Sequence, residues 1–432
     1  MNKGKEMKLS PLGDIPRDWC YTTISDALSP GSKVTYGVVQ PGGEDINGVK
    51  FVRGGDIKSG KISNNLRTIS HTVSESYSRT LLKGGEVLIS LVGYPGQSAV
   101  VPKELAGANI ARQVALLSLS DDFEPYFVHY FLSSELGQKL LLSNLNGSAQ
   151  QVINLKDLAK VLIPKVLLKE QQKIAEILST VDKKIDLIDQ KIAETEKLKK
   201  GLMQKLFSEG VGVQDENGVW QPHTDFKPSG YPDCWKVMQL KSIANVITGK
   251  TPPPANTENY GGDYMFVSPS DLGSRKYISH TKSTLSKQGV NNGKVVPKGA
   301  IFFTCIGSTI GKIGISTQEC CTNQQINTVI LEKDGYMSEY VYYALSHISG
   351  SIKRLAGIQA VPIVKKSLFE SQFIPIPPQE EQQLIAETLA TVDLKLDILY
   401  KQKAETQQLK KGLMQKLLTG EWRVPVEETE AA

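Results

Sequence analysis

The run Leu198-Lys199-Lys200-Gly201-Leu202-Met203-Gln204-Lys205-Leu206 returns unchanged as Leu409 to Leu417. The offset is 211 residues, and it holds upstream without a gap. Glu170-Gln171-Gln172-Lys173-Ile174-Ala175-Glu176 returns as Glu381-Gln382-Gln383-Leu384-Ile385-Ala386-Glu387, and Thr180-Val181-Asp182 as Thr391-Val392-Asp393. Such a period is far longer than that of a solenoid repeat. The 432 residues are therefore a duplicated half-protein.

Each copy of this stretch reads as one long helix. Ile174, Leu178, Val181, Ile185, Ile188 and Ile192 alternate steps of four and three, the seam of a coiled coil. Ile385, Leu389, Val392, Leu396 and Leu399 do the same. The seam then stutters through Thr195, Leu198, Leu202 and Leu206, and through Thr406, Leu409, Leu413 and Leu417. Ile163-Pro164 and the Pro-rich Ile374 to Pro378 bar an earlier start. A helix from Glu170 to Phe207 would be roughly 57 Å long. Two similar seams in one chain favour pairing with each other over homodimerisation, since closing a long loop costs little more than closing a short one. Gly201 and Gly412 each cost the helix about 1 kcal/mol against Ala. They read either as a close helix crossing, as a partner's footprint or as a tolerated irregularity.

The segments ahead of the helices repeat more loosely. Ile15-Pro16-Arg17-Asp18-Trp19 pairs with Tyr231-Pro232-Asp233-Cys234-Trp235. Phe51 to Ile57 pairs with Phe266 to Leu272. Gly85 to Gly93 pairs with Gly299 to Gly307, each predicted as a buried strand ending in a glycine turn. Phe127-Val128 and Tyr130 to Ser133 match Tyr340-Val341 and Tyr343 to Ser346, predicted helical. The expected organisation is a first domain over 1–162, a helix over 163–208, a linker over 209–230, a second domain over 231–378, a helix over 379–418 and an acidic tail over 419–432. The repeated polar face (Lys199, Lys200, Gln204 and Lys205; Lys410, Lys411, Gln415 and Lys416) suggests one protein surface that docks twice.

Composition narrows the function. The chain is 40% hydrophobic and 22% charged, near the globular average. No apolar run is long enough to span a bilayer, and no signal peptide is visible at Met1 to Trp19. The five cysteines form no CxxC pair. A soluble, cytoplasmic protein is expected. The net charge of +5 permits nucleic acid as a partner without establishing it. Catalytic motifs are missing. Gly307-Ser308-Thr309-Ile310-Gly311-Lys312-Ile313 has the wrong glycine spacing for a phosphate loop, and Ile follows its Lys. No Asn-Pro-Pro-aromatic motif for amino-group methylation is found. His71, His129, His223, His280 and His347 lack metal-ligand spacing, and no metal is expected.

These residues together resemble the specificity subunit of type I restriction-modification systems. The two helix signatures are similar to that family's two conserved regions. Gly147 to Leu158 resembles the loop that closes its target-recognition domains. The second such loop, Gly357 to Ile363, lacks the Ser and the paired Gln. The resemblance runs from about Ser10 to about Trp422. It implies a mixed α/β (α+β) fold: two tandem target-recognition domains joined by two long helices, packed as an antiparallel intramolecular coiled coil with pseudo-twofold duplication. It implies a non-catalytic subunit that reads a bipartite site in double-stranded DNA. Two methylation subunits would dock on it, and two restriction subunits would join them. S-adenosylmethionine, ATP and Mg would belong to those partners.

Reading DNA needs cations for phosphate and planar hydrogen-bonding groups for base edges. In the first domain the candidates are Arg53, Lys58, Lys61, Tyr94, Gln97, Arg112, Gln113, Ser148, Gln150 and Gln151. In the second they are Arg275, Lys276, Ser308, Thr309, Lys312, Asn323, Gln324, Gln325 and Gln359. Arg112 and Gln150 are the foremost candidates for base contact. Two other readings remain: a nuclease or methyltransferase of unfamiliar motif, and a coiled-coil assembly protein that does not bind DNA.

Overall fold

The computed structural model describes residues 6–143, 152–273, 275–357 and 360–425. Ser148, Gln150, Gln151 and Gln359 lie outside the described residues. The chain divides into two compact units, Met1–Gln190 with Lys401–Ala432, and Lys191–Tyr400. Each unit thus takes the opening half of its own long helix and the closing half of the other, a partition that a linear reading of the sequence does not give.

The first unit is built on an antiparallel sheet in the order Ser98–Val100, Val87–Ser90, Val114–Leu117 and Thr35–Tyr36. The second unit has the counterpart order, Ile313–Ser316, Ile301–Thr304, Ile326–Leu331 and Ala244–Thr248, with Tyr277–Ile278 added at one edge. Val87–Ser90 and Ile301–Thr304 are buried at every position. That explains their unbroken apolar runs, which are bounded by the glycine turns the sequence predicts. The predicted helices fall at Pro125–Ser133 and Ser338–Arg354.

The long helices span Leu168–Ser208 and Gln379–Leu417. The first starts later than residue 163, because Leu162–Lys165 is a strand paired with Cys20–Thr23. In the linker, Val213–Gln214 and Trp220–Gln221 form a hairpin. The first unit's core joins Trp19, Phe127 and Phe131 to Ile174 and Leu178 of the first helix and to Leu417 and Leu418. In the second, Trp235, Phe303 and Tyr340 pack with Ile385, Leu389, Leu206 and Phe207. Truncating any one of these buried apolar side chains to Ala costs about 2–5 kcal/mol.

The pairing of the helices is antiparallel and within the chain. In the first unit Asp182 pairs with Lys410 and Asp189 with Lys403, each at 2.6 Å. In the second, Lys199 pairs with Asp393 at 2.6 Å and Glu196 accepts from the Tyr400 hydroxyl. Numbers rise on one helix as they fall on the other. Thr195 and Thr406 are buried in the stutter, each hydroxyl donating 2.7 Å to the carbonyl four residues back. From each threonine the seam runs one heptad on, to Leu202 and Leu413. Leu198 and Leu409, expected in the seam, fall beside it and are 51% and 53% exposed. A Cβ on Gly201 or Gly412 would meet no neighbour. Close helix crossing is therefore not what keeps those glycines.

The first unit buries a histidine where the second has Tyr342. His129 sits on Pro125–Ser133, with Nδ1 2.9 Å from Ser98 Oγ. Burial, with Lys410 nearby, pushes its pKa down to about 4. Its folded pKa lies below the unfolded value, so this neutral imidazole stabilises the fold above about pH 6.5, and the contribution is lost as pH falls towards 4. The effect is about 3 kcal/mol. Thermal unfolding at pH 7 and pH 4.5 should show a smaller drop for His129→Gln than for the unaltered chain; equal drops would remove His129 from the account.

Candidate nucleic-acid interface

In the first unit, strand Val87–Ser90 runs into Leu91-Val92-Gly93-Tyr94. Gly93 has φ +85°, which L side chains rarely adopt. The Leu91 N–H donates to the Gln113 carbonyl at 2.7 Å, and the Ile153 N–H donates to the Leu91 carbonyl at 3.0 Å. Val92 bridges Val152. Gly54 lies so close that a Cβ there would stand 2.8 Å from Ser90 Oγ and 3.5 Å from Gln113 Cβ. Four chain segments therefore meet at one edge: the 53–56 turn, the 91–94 turn, the 111–113 turn and the end of the closing loop. Tyr94, Arg112 and Gln113 project there, exposed, and Lys58 Nζ lies 5.8 Å from the Tyr94 ring. Arg53 is committed locally. Its Nε and Nη2 reach Asp56 at 3.0 Å each, and that bond raises its pKa further. Arg53 thus shapes the turn, and Asp56 offsets its charge. Lys61 is likewise paired, with Asp186 of the first long helix.

The second unit repeats this backbone register with other side chains. The Cys305 N–H donates to the Gln325 carbonyl and the Val364 N–H to the Cys305 carbonyl, both at 2.8 Å. Ile306 bridges Ile363, and Gly307 has φ +90°. Ser268 stands where Arg53 stands, donating to Asp271 Oδ2 from its backbone at 2.9 Å and from its hydroxyl at 2.7 Å. Gln324 is exposed and takes the place of Arg112; its Oε1 accepts from the Thr251 hydroxyl. Asn323 and Gln325 bond each other. The second closing loop departs in sequence from the first, yet Ile363 and Val364 pair as Val152 and Ile153 do.

The remaining candidates of this unit gather elsewhere. Arg275, Lys276, Ser308, Thr309 and Lys312 line a cleft of about 600 Å³ that also holds Lys199 and Lys353. Lys276 Nζ lies 4.7 Å from the Tyr277 ring and 5.1 Å from that of Tyr343, and burial lowers its pKa. In the first unit Gln97, Lys410, Lys411 and Gln415 line a cleft of about 730 Å³.

Three side chains expected on the docking face are held inside their own units. Lys410 pairs with Asp182, which also accepts from the Tyr130 hydroxyl at 2.8 Å. Lys199 pairs with Asp393, which accepts from the Tyr343 hydroxyl at 2.6 Å. Lys416 pairs with Glu421. Lys200, Gln204, Lys205, Lys411 and Gln415 stay exposed. Leu198 and Leu409 flank them, a repeated apolar pair hidden from sequence reasoning by its assignment to the seam.

Part of the repeat is structural. Glu170 is buried and accepts from Trp19 Nε1 at 3.2 Å and from Arg423 Nε at 2.7 Å. Glu381 is buried and accepts from Trp235 Nε1 at 2.8 Å. Gln171 Nε2 donates to the Asp122 and Val166 carbonyls, and Gln382 Nε2 to those of Gly335 and Pro377.

One backbone register presenting two different sets of polar side chains defines a tandem recognition protein. The chain belongs to the type I restriction modification DNA specificity family, whose domain model matches residues 44–197 and again 232–408. It is 28% identical over 440 residues to the putative type I restriction enzyme MjaX specificity subunit of Methanocaldococcus jannaschii, covering 98% of each chain. It is also 28% identical to the MjaVIII specificity subunit of the same organism, covering 69% of this chain and 70% of that one. Among solved structures, a chain of a type I R-M system superposes with a TM-score of 0.58 at 19% identity, over 94% of this chain and 99% of that one. The S subunit from M. genitalium gives 0.57 at 18% identity, over 92% and 96%. Among the described residues, no helix is long and apolar enough to cross a membrane.

Proposed function

We propose that this chain is the sequence-reading, non-catalytic subunit of a type I restriction-modification complex. Each unit reads one half of a bipartite site in double-stranded DNA. The observation that carries the reading is the shared register of the two turn clusters, where Arg112-Gln113 in one unit answers to Gln324-Gln325 in the other. Arg reads guanine and Gln reads adenine through paired hydrogen bonds in the major groove, so one scaffold serves two half-sites. The exposed Lys200, Gln204 and Leu198, repeated as Lys411, Gln415 and Leu409, support two docking sites for methylation subunits. S-adenosylmethionine, ATP and Mg would belong to those subunits and to two restriction subunits, with no cofactor in this chain.

Replacing Arg112 by Ala should weaken binding of one half-site by about 1–3 kcal/mol, and replacing Gln324 should weaken the other. Competition binding of the assembled complex to DNAs mutated in one half checks this. Equal loss at both halves for either variant would contradict separate readers. Absence of any salt-dependent DNA affinity would favour the assembly-protein reading.

A further inference from the structure

We propose that His223, Cys234 and Glu381 form a binding site for a divalent cation of the zinc class. His223 and Cys234 are 11 residues apart, and the fold brings Glu381, 158 residues beyond His223, to them in the second unit. His223 Nε2 lies 3.0 Å from Glu381 Oε1, and His223 Nδ1 lies 3.8 Å from Cys234 Sγ. One ligand atom from each lies within 4.8 Å of the others. Thiolate, imidazole and carboxylate are the donors zinc prefers, and three protein ligands leave a fourth position for water. The Glu381 and His223 side chains are 1% and 5% exposed, while Cys234 stands at the exposed side, where the ion would enter. This departs from the sequence expectation of no metal, which rested on the spacing of the histidines and of the cysteines.

The duplication supplies an independent argument. In the first unit the equivalent buried carboxylate, Glu170, has a permanent cation. The Arg423 guanidinium bridges it to Asp18, with Nη1 and Nη2 at 2.9 and 3.0 Å from that carboxylate. By the sequence repeat Cys234 stands where Asp18 stands, and the residue 211 positions before Arg423 is Gly212. The second unit thus keeps the buried carboxylate and loses the arginine. Among the described residues no Lys or Arg pairs with Glu381. Among the described residues its oxygens accept only from the backbone N–H groups of Val211 and Gly212, from His223 and from Trp235. A bound ion would displace the thiol proton to solvent. It would tie the segment before Trp235 to the start of the second helix, as Arg423 ties the segment after the second helix to the start of the first.

The test uses the full chain, stripped with a chelator and titrated with Zn2+ against a chromophoric competitor. One equivalent is expected to bind, and Co2+ in its place should show a thiolate charge-transfer band. Cys234→Ser and His223→Gln should each weaken binding at least tenfold, whereas Cys20→Ser, at the other exposed cysteine, should not. Failure of the native chain to bind one equivalent overturns the proposal, as does undiminished binding by Cys234→Ser. A measurement on the native chain guards against misfolded variants. Zn2+ should slow iodoacetamide labelling of Cys234 at least tenfold and leave Cys20 unaffected; equal rates with and without Zn2+ overturn the site.

Discussion

Inserting one heptad after Gln190 and another after Tyr400 should lengthen the preferred spacer of the recognised DNA by about three base pairs. Those two points are where the chain passes from one compact unit to the other, and each falls inside a long helix. Seven residues keep the a/d seam in phase and add roughly 10 Å to each helix, about three base pairs of duplex at 3.4 Å each. Asp182–Lys410 and Lys199–Asp393 lie within single units, so the insertion leaves both ion pairs intact. Each reader keeps its own half-site, while affinity for the parent spacer falls by orders of magnitude. A heptad in one helix alone should abolish recognition of both spacers, because it shifts the register of the pair. Selection from DNA with randomised spacers reads the result. An unchanged spacer in the doubly lengthened chain would show that the helices do not set it.

Glu170→Ala should destabilise the first unit by about 3–5 kcal/mol, the cost of breaking a buried ion pair by removing one partner. The substitution leaves the Trp19 Nε1–H buried without an acceptor and Arg423 with Asp18 alone. A surface pair on the same helix provides the contrast. Lys173 and Glu176 meet at 2.8 Å, but both side chains are about half exposed or more, so Lys173→Ala should change stability by less than about 1 kcal/mol. Urea unfolding of the full chain measures both. A loss under about 1 kcal/mol for Glu170→Ala would mean that the repeated glutamate is not what anchors the helix to its domain.

These side chains mark what the sequence could and could not convey. The duplication was legible because identity over nine residues at a fixed offset needs no structural knowledge. The cause of that identity was not. Glu170 and Glu381 recur because Trp19 and Trp235, 151 and 146 residues away, each need an acceptor. Asp182 and Asp393 recur because Lys410 and Lys199 return from the other helix. Partners so remote leave no local pattern. Periodicity also misplaced Leu198 and Leu409, since a three-residue step after a threonine can be read as seam or as flank until the facing helix is known. In the candidate interface, the glycine turns and the strands before them were visible as buried runs ending in Gly93 and Gly307. The equivalence of Arg112 with Gln324 was not, because it rests on the hydrogen bonds of Leu91 to Gln113 and of Cys305 to Gln325 and not on side-chain identity.

The most direct test of two separate readers on one chain is modified-base sequencing of DNA. The cells would express this chain with its methylation partner, or either protein alone. A bipartite N6-methyladenine motif that appears only when both are present is the predicted result, and Arg112→Ala should degrade one half of that motif. A motif produced by the partner alone, or a single undivided site, would contradict the account.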